Sequence, residues 1–159
     1  MRKKILVVDD DNAVRESLMN ALSYENYFPI GAANGDEGLA MLESQKPDLV
    51  LLDLNMPGKG GWQVYKEISS QRPLLPVVVL TARPNQLFTS LGAGVGALIE
   101  KPFDFLKLLQ TIRELLSETP AQRLARASGH PSSFQYHRPN GNDITYAQAQ
   151  SCEAEGHKN

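Results

Sequence analysis

A doubly wound α/β domain, built on a five-stranded parallel sheet with five helices, is the fold class the sequence predicts. Three observations lead there. Short, wholly apolar runs rich in Val, Ile and Leu recur along the first two thirds of the chain. Segments with helical spacing of apolar residues alternate with them, and capping or turn residues mark the junctions. Five such alternations require right-handed crossovers and helices on both faces of one sheet.

The first strand is Ile5-Leu6-Val7-Val8, bounded by lysines on one side and by Asp9-Asp10-Asp11 on the other. Asp11 or Asn12 can cap the following helix, where Val14, Leu18, Ala21 and Leu22 form one apolar stripe. A weaker strand is expected around 28–33, then a helix over about 36–44 with Leu39 and Leu42 on one face. Leu49-Val50-Leu51-Leu52 is continuously apolar, as a strand covered on both faces should be. Pro57-Gly58 and Gly60-Gly61 separate it from a third helix holding Val64, Tyr65 and Ile68. Pro76-Val77-Val78-Val79-Leu80 predicts the fourth strand. Pro84 then opens a short, weak helix containing Leu87, Phe88 and Leu91, ended by glycines at 92, 94 and 96. Ala97-Leu98-Ile99 gives a brief fifth strand, and Asp104 caps a strongly periodic helix on Leu106, Leu109, Ile112, Leu115 and Leu116.

The division expected is a domain over 1–118 followed by a tail over 119–159. In the tail Leu124, Phe134, Tyr136, Ile144 and Tyr146 are the only large apolar side chains, too few to bury a core. Thr119-Pro120 can cap and begin a short helix through Ala127, ended by Ser128-Gly129. The remainder reads as flexible or partner-dependent, and Arg123 and Arg126 as a solvated helix face.

Composition sets outer limits. The 159 residues are 42% hydrophobic and 21% charged, ordinary values for a globular chain. No apolar stretch approaches the roughly 20 residues that span a bilayer, so membrane insertion is not expected. The apolar run after Arg2-Lys3-Lys4 is too short for a secretory leader, which predicts a cytoplasmic protein. Cys152 is the single cysteine and carries no disulfide. His130, His137 and His157 have no metal-site spacing. A net charge of −2 lacks the basic excess of nucleic-acid binders, so direct DNA or RNA contact is not expected.

In a doubly wound sheet ligands bind beyond the carboxyl ends of the strands. Strand one ends in Asp9-Asp10-Asp11, strand three in Asp53, strand four in Thr81, and strand five leads into Lys101-Pro102. Clustered carboxylates repel one another unless a cation intervenes, and hard oxygen ligands favour Mg²⁺. A hydroxyl and an ammonium beside them supply what holds the oxygens of a transferring phosphoryl group.

Four segments in this order, Val7-Val8-Asp9-Asp10, Leu52-Asp53-Leu54-Asn55-Met56-Pro57-Gly58, Leu80-Thr81-Ala82 and Lys101-Pro102-Phe103, resemble the receiver domain of two-component response regulators, over about Lys4 to Leu116. That resemblance implies a CheY-like, flavodoxin-like strand order 2-1-3-4-5. It implies that Asp53 is the phosphoryl acceptor, with Thr81 and Lys101 completing the catalytic set. Mg²⁺ would be held by the carboxylates of Asp10 and Asp53 and the backbone carbonyl of Asn55, with Asp9 acting mainly through a metal-bound water. Pro102 would follow a cis bond, and the side chains of Asn55 and Arg83 would flank the path of the water that ends the signal.

The donor implied is a sensor histidine kinase or a phosphotransfer protein, and the output a changed contact with a downstream protein. The implied role is a phosphoacceptor signalling domain rather than an enzyme, acting as a single-domain response regulator. Thr81 and the residue three positions before the lysine would form the switch; that residue is usually aromatic in this family and is Leu98 here. Two other readings compete: a receiver-like binding module that needs no phosphate, and a haloacid-dehalogenase-type phosphatase that uses Asp9 as nucleophile.

Overall fold

The structure, a computed structural model, describes residues 1–83, 93–129 and 134–145. Strands β1 (Lys4–Val8), β2 (Phe28–Ala32), β3 (Leu49–Asp53), β4 (Val77–Thr81) and β5 (Ala97–Glu100) alternate with helices α1 (Asn12–Tyr24), α2 (Gly35–Gln45) and α3 (Gly61–Gln71). Helices α4 (Phe105–Leu116) and α5 (Pro120–Ala127) and strands β6 (Gln135–His137) and β7 (Ile144–Thr145) follow. The short helix expected over 84–91 lies outside the described residues, as do Cys152, His130 and His157. No helix among the described residues is long and apolar enough to cross a membrane.

Strands β1 to β5 are mutually parallel and lie in the order 2-1-3-4-5. Alternate residues of each strand face opposite layers. Leu6, Val8, Val50, Leu52, Val79 and Leu98 pack with Leu42 of α2 and Val64, Tyr65 and Ile68 of α3. Ile5, Val7, Leu51, Val78, Leu80 and Ile99 pack with Leu18 and Leu22 of α1 and Leu108, Leu109 and Ile112 of α4. Burial on both faces explains why the central strands read as continuous apolar runs. Only β2, at the sheet's edge, tolerates Pro29 and Gly31 within it.

Helix starts follow their caps. Asp11 caps α1, Asn34 caps α2, Asp104 caps α4, and Thr119 with Gln122 forms a capping box on α5 with Pro120 in its first turn. Trp62 meets Tyr65 edge to face, with ring centroids 5.8 Å apart.

The expectation of a flexible segment beyond α5 fails for 134–145. Strand β6 joins β5 in parallel and β7 pairs antiparallel with β6, so the sheet has seven strands among the described residues. A parallel neighbour needs a crossover, which α4 and α5 supply. Phe134 and Tyr136 enter the same core layer as Leu98. The tail borrows a core that the first domain has already built, which a count of its own apolar residues cannot register. Arg126 likewise is not on a solvated face: it is 2% exposed and bonds to Glu118 at 3.0 Å and to the Gly94 carbonyl at 3.1 Å. Gly94 makes this approach possible, with φ +78 and the Arg126 carbonyl only 2.9 Å from where a Cβ would stand.

Candidate functional site

The parallel topology brings the carboxyl ends of β1, β3, β4 and β5 to one edge, so the last residue of each strand, or the next one, faces a common space. Asp9 follows β1, Asp53 ends β3, Thr81 ends β4 and Lys101 follows β5. Asp9, Asp53 and Thr81 are buried at 0%, 2% and 0% exposure, while Asp10 is exposed. Carboxylate oxygens of Asp9, Asp10 and Asp53 lie within 4.8 Å of one another. The Lys101 ammonium bridges two of them, 3.2 Å from Asp9 Oδ2 and 3.5 Å from Asp53 Oδ2. The Lys101–Pro102 peptide is cis.

Backbone donors fix the remaining carboxylate oxygens. Asp9 Oδ1 accepts from the Asp11 N–H at 2.9 Å, and Asp53 Oδ1 from the Asn55 N–H at 3.0 Å. Burial raises the Asp53 carboxyl above its ordinary pKa, with the neighbouring Asp9 charge in the same direction; the Asn55 N–H and Lys101 oppose but do not cancel this. Thr81 is placed at the site, yet its hydroxyl is engaged locally: it accepts from the Arg83 N–H at 3.0 Å and donates to the Arg83 carbonyl at 3.3 Å. Leu98 is fully buried in the core layer, opposite Tyr136 of β6.

Two contributors escaped the sequence reading. Arg15, one turn into α1, donates from Nη1 to the Asp9 carbonyl at 2.7 Å and steadies the acidic turn. Its signal was weak, a lone Arg on a helix whose apolar stripe drew attention. Gly61 starts α3 against the acceptor loop; a Cβ there would stand 2.4 Å from Leu54 Cα and 2.9 Å from the Asp53 carbonyl. The Gly60-Gly61 pair read as punctuation, whereas the second glycine is a packing requirement.

The donor set suits a hard divalent cation: every ligating atom is oxygen, and three carboxyl groups gather beside a single ammonium. The side-chain nitrogen of Asn55 is also buried without an acceptor among the described residues, a donor awaiting an oxygen-bearing ligand.

Residues 5–113 match the family model of the response regulator receiver domain. The response regulator MprA of Mycobacterium bovis strain BCG is 40% identical over 129 residues, which are 80% of this chain and 56% of that protein. A CheY-like receiver domain protein of Methanospirillum hungatei superposes with TM-score 0.70 at 34% identity, covering 73% of this chain and 94% of its own. The response regulator TrrA of Thermotoga maritima, solved in complex with Mg(2+)-BeF, gives TM-score 0.66 at 34% identity over 71% of this chain and 98% of its own. The chain spans about half the length of the curated relatives it matches.

Proposed function

Because this chain belongs to the response regulator receiver domain family, we propose that it accepts a phosphoryl group on Asp53 from a phosphohistidine of a sensor kinase or phosphotransfer protein. An Asp53 carboxylate oxygen forms the new bond to phosphorus while the P–N bond breaks, the imidazole nitrogen keeping the electron pair. Asp10, Asp53 and the Asn55 backbone carbonyl would hold Mg²⁺, and Asp9 would reach it through water. Bound there, the metal would supply positive charge against the charge developing on the transferring group.

This chain's own residues do the rest. Lys101 releases its share of Asp9 and Asp53 and pairs with a phosphoryl oxygen. Thr81 turns its hydroxyl from the Arg83 carbonyl to a second oxygen. The side chains of Asn55 and Arg83 border the path of the hydrolytic water and set how long the aspartyl phosphate lasts. The protein acts on itself rather than on a diffusing substrate, in the cytoplasm, and its output is a changed contact with a downstream protein.

The observation that carries this reading is the Lys101 ammonium set between two buried carboxylates at the carboxyl edge of the sheet. The test is exposure to acetyl phosphate with Mg²⁺, then borohydride trapping and peptide mapping. Label is expected on Asp53, lost in Asp53→Ala and without Mg²⁺. Label on Asp9 would point instead to a phosphatase nucleophile, and no label with any of a panel of histidine kinases would leave a phosphate-independent binding module.

A further inference from the structure

Strand β5 is pulled from two sides. On one side β4 pairs with it, Thr81 lying opposite Glu100, and the Thr81 carbonyl accepts from the Lys101 N–H at 2.7 Å. On the other, β6 pairs with Ala97, Leu98 and Ile99, and the Tyr136 hydroxyl donates to the Glu100 carboxylate. Tyr136 is buried, with the Arg138 guanidinium 4.9 Å over its ring. The same segment grips α4: Gln135 donates to Glu114, Thr111 donates to Gln135 at 2.8 Å, and Lys107 bonds Asp143 at 2.7 Å. Glu100 is thus tied to the extension, and the next residue, Lys101, to the acidic pocket.

We propose that the 134–145 segment is a clamp on β5 that opposes occupation of the pocket, with Tyr136 as a positioning residue acting through Glu100. The inference rests on the pocket taking a phosphoryl group, as argued above. When Lys101 turns to such a group, it draws the carboxyl end of β5 toward the pocket, on the β4 side. Since β6 lies on the opposite side of β5, the same movement stretches the Tyr136–Glu100 bond and the last β5–β6 pairs. A filled pocket and a docked β6 therefore compete for one strand end. Linkage makes the competition reciprocal: whatever factor loosens β6 on occupation must tighten the pocket when β6 is loosened first.

The test uses the full chain with Mg²⁺ and beryllofluoride, a phosphoryl mimic whose bound fluorines are read directly by ¹⁹F NMR. Amide exchange at 135–137 is followed in the same samples. Saturation is expected to speed that exchange about fivefold or more, and Tyr136→Phe, which keeps the ring and removes only the hydroxyl, to bind beryllofluoride tighter by a similar factor. Glu100→Ala, which removes the acceptor, should tighten binding in the same direction, and Asp53→Asn should show neither bound fluorine nor faster exchange. A loss of packing alone would not raise affinity at a pocket these side chains do not enter. Bound fluorine with unchanged or slower exchange, or no gain in affinity in Tyr136→Phe and Glu100→Ala, overturns the clamp alone. No bound fluorine in the unmodified chain overturns the pocket reading, and the clamp with it.

Discussion

Two sets of charged side chains in this small molecule are balanced in opposite ways. At the carboxyl edge, Asp9, Asp10 and Asp53 face one ammonium, and the Asp53 carboxyl is pushed up by burial. Under the extension the charges are matched. Arg126 meets Glu118, and Asp143 meets Lys107 and His137, at 2.7 Å and 2.9 Å. Burial would raise Asp143 too, but the Lys107 and His137 bonds outweigh it and lower its pKa to about 2. The same residue type thus titrates in opposite directions within one fold. A cluster left short of positive charge has room for a cation, whereas a matched cluster fastens one segment to another.

The largest effect should come from the matched side. Arg126→Met removes the guanidinium that serves Glu118 and Gly94, leaving a mostly buried carboxylate without its partner. A loss of about 3–5 kcal/mol is expected in chemical unfolding; a loss near zero would show that this pair fastens nothing.

The under-balanced side should answer with two signs. Lys101→Met leaves Asp9 and Asp53 facing each other and should cost about 2 kcal/mol at neutral pH, whereas Asp53→Asn relieves the same repulsion and should raise stability by about 1 kcal/mol. The pH dependence follows from the direction of the Asp53 shift. Its folded pKa lies above the unfolded value, so between the two the folded state holds more protons and stability falls as pH rises. Asp53→Asn should remove that slope. Equal losses in both variants, by thermal or urea unfolding, would break the contrast between the clusters.

Asp143→Asn is the smallest test. Its folded pKa of about 2 lies below the unfolded value, so its contribution is present above about pH 4 and is lost as pH falls toward 2. Partial exposure limits the effect to under about 1 kcal/mol. The acid limb of the stability profile should flatten in the variant, and an unchanged limb would show that the Lys107 and His137 bonds do not act on folding.

Most of this architecture could be read from the chain because local and global preferences agree in it. Leu49 to Leu52 is apolar at every position because both faces are covered, and Asp104 and Thr119 cap helices whose stripes begin at once. Strand β2 was harder, since an edge strand carrying Pro29 and Gly31 lacks the central pattern. The pocket was legible because parallel topology alone gathers the residues that follow the strands. What stayed hidden was cooperative. Gln135, Tyr136 and His137 hold only one large apolar side chain between them, and their burial depends on β5 and α4 being in place. Arg126 reads as a solvated charge until Glu118 and Gly94 are folded around it.

Strands β6 and β7 also cover what would otherwise be an open edge of β5. An unpaired strand is a template for another molecule's backbone, and β5, reading Ala-Leu-Ile-Glu, would be an inviting one. Among the described residues that border is passed outward to β7, while the far border is β2, where Pro29 offers no N–H. The β2 margin is thus a poor template for runaway strand addition between molecules. If β6 lifts away, the chain gains a transient appetite for a partner strand, and its colloidal behaviour becomes tied to its signalling state.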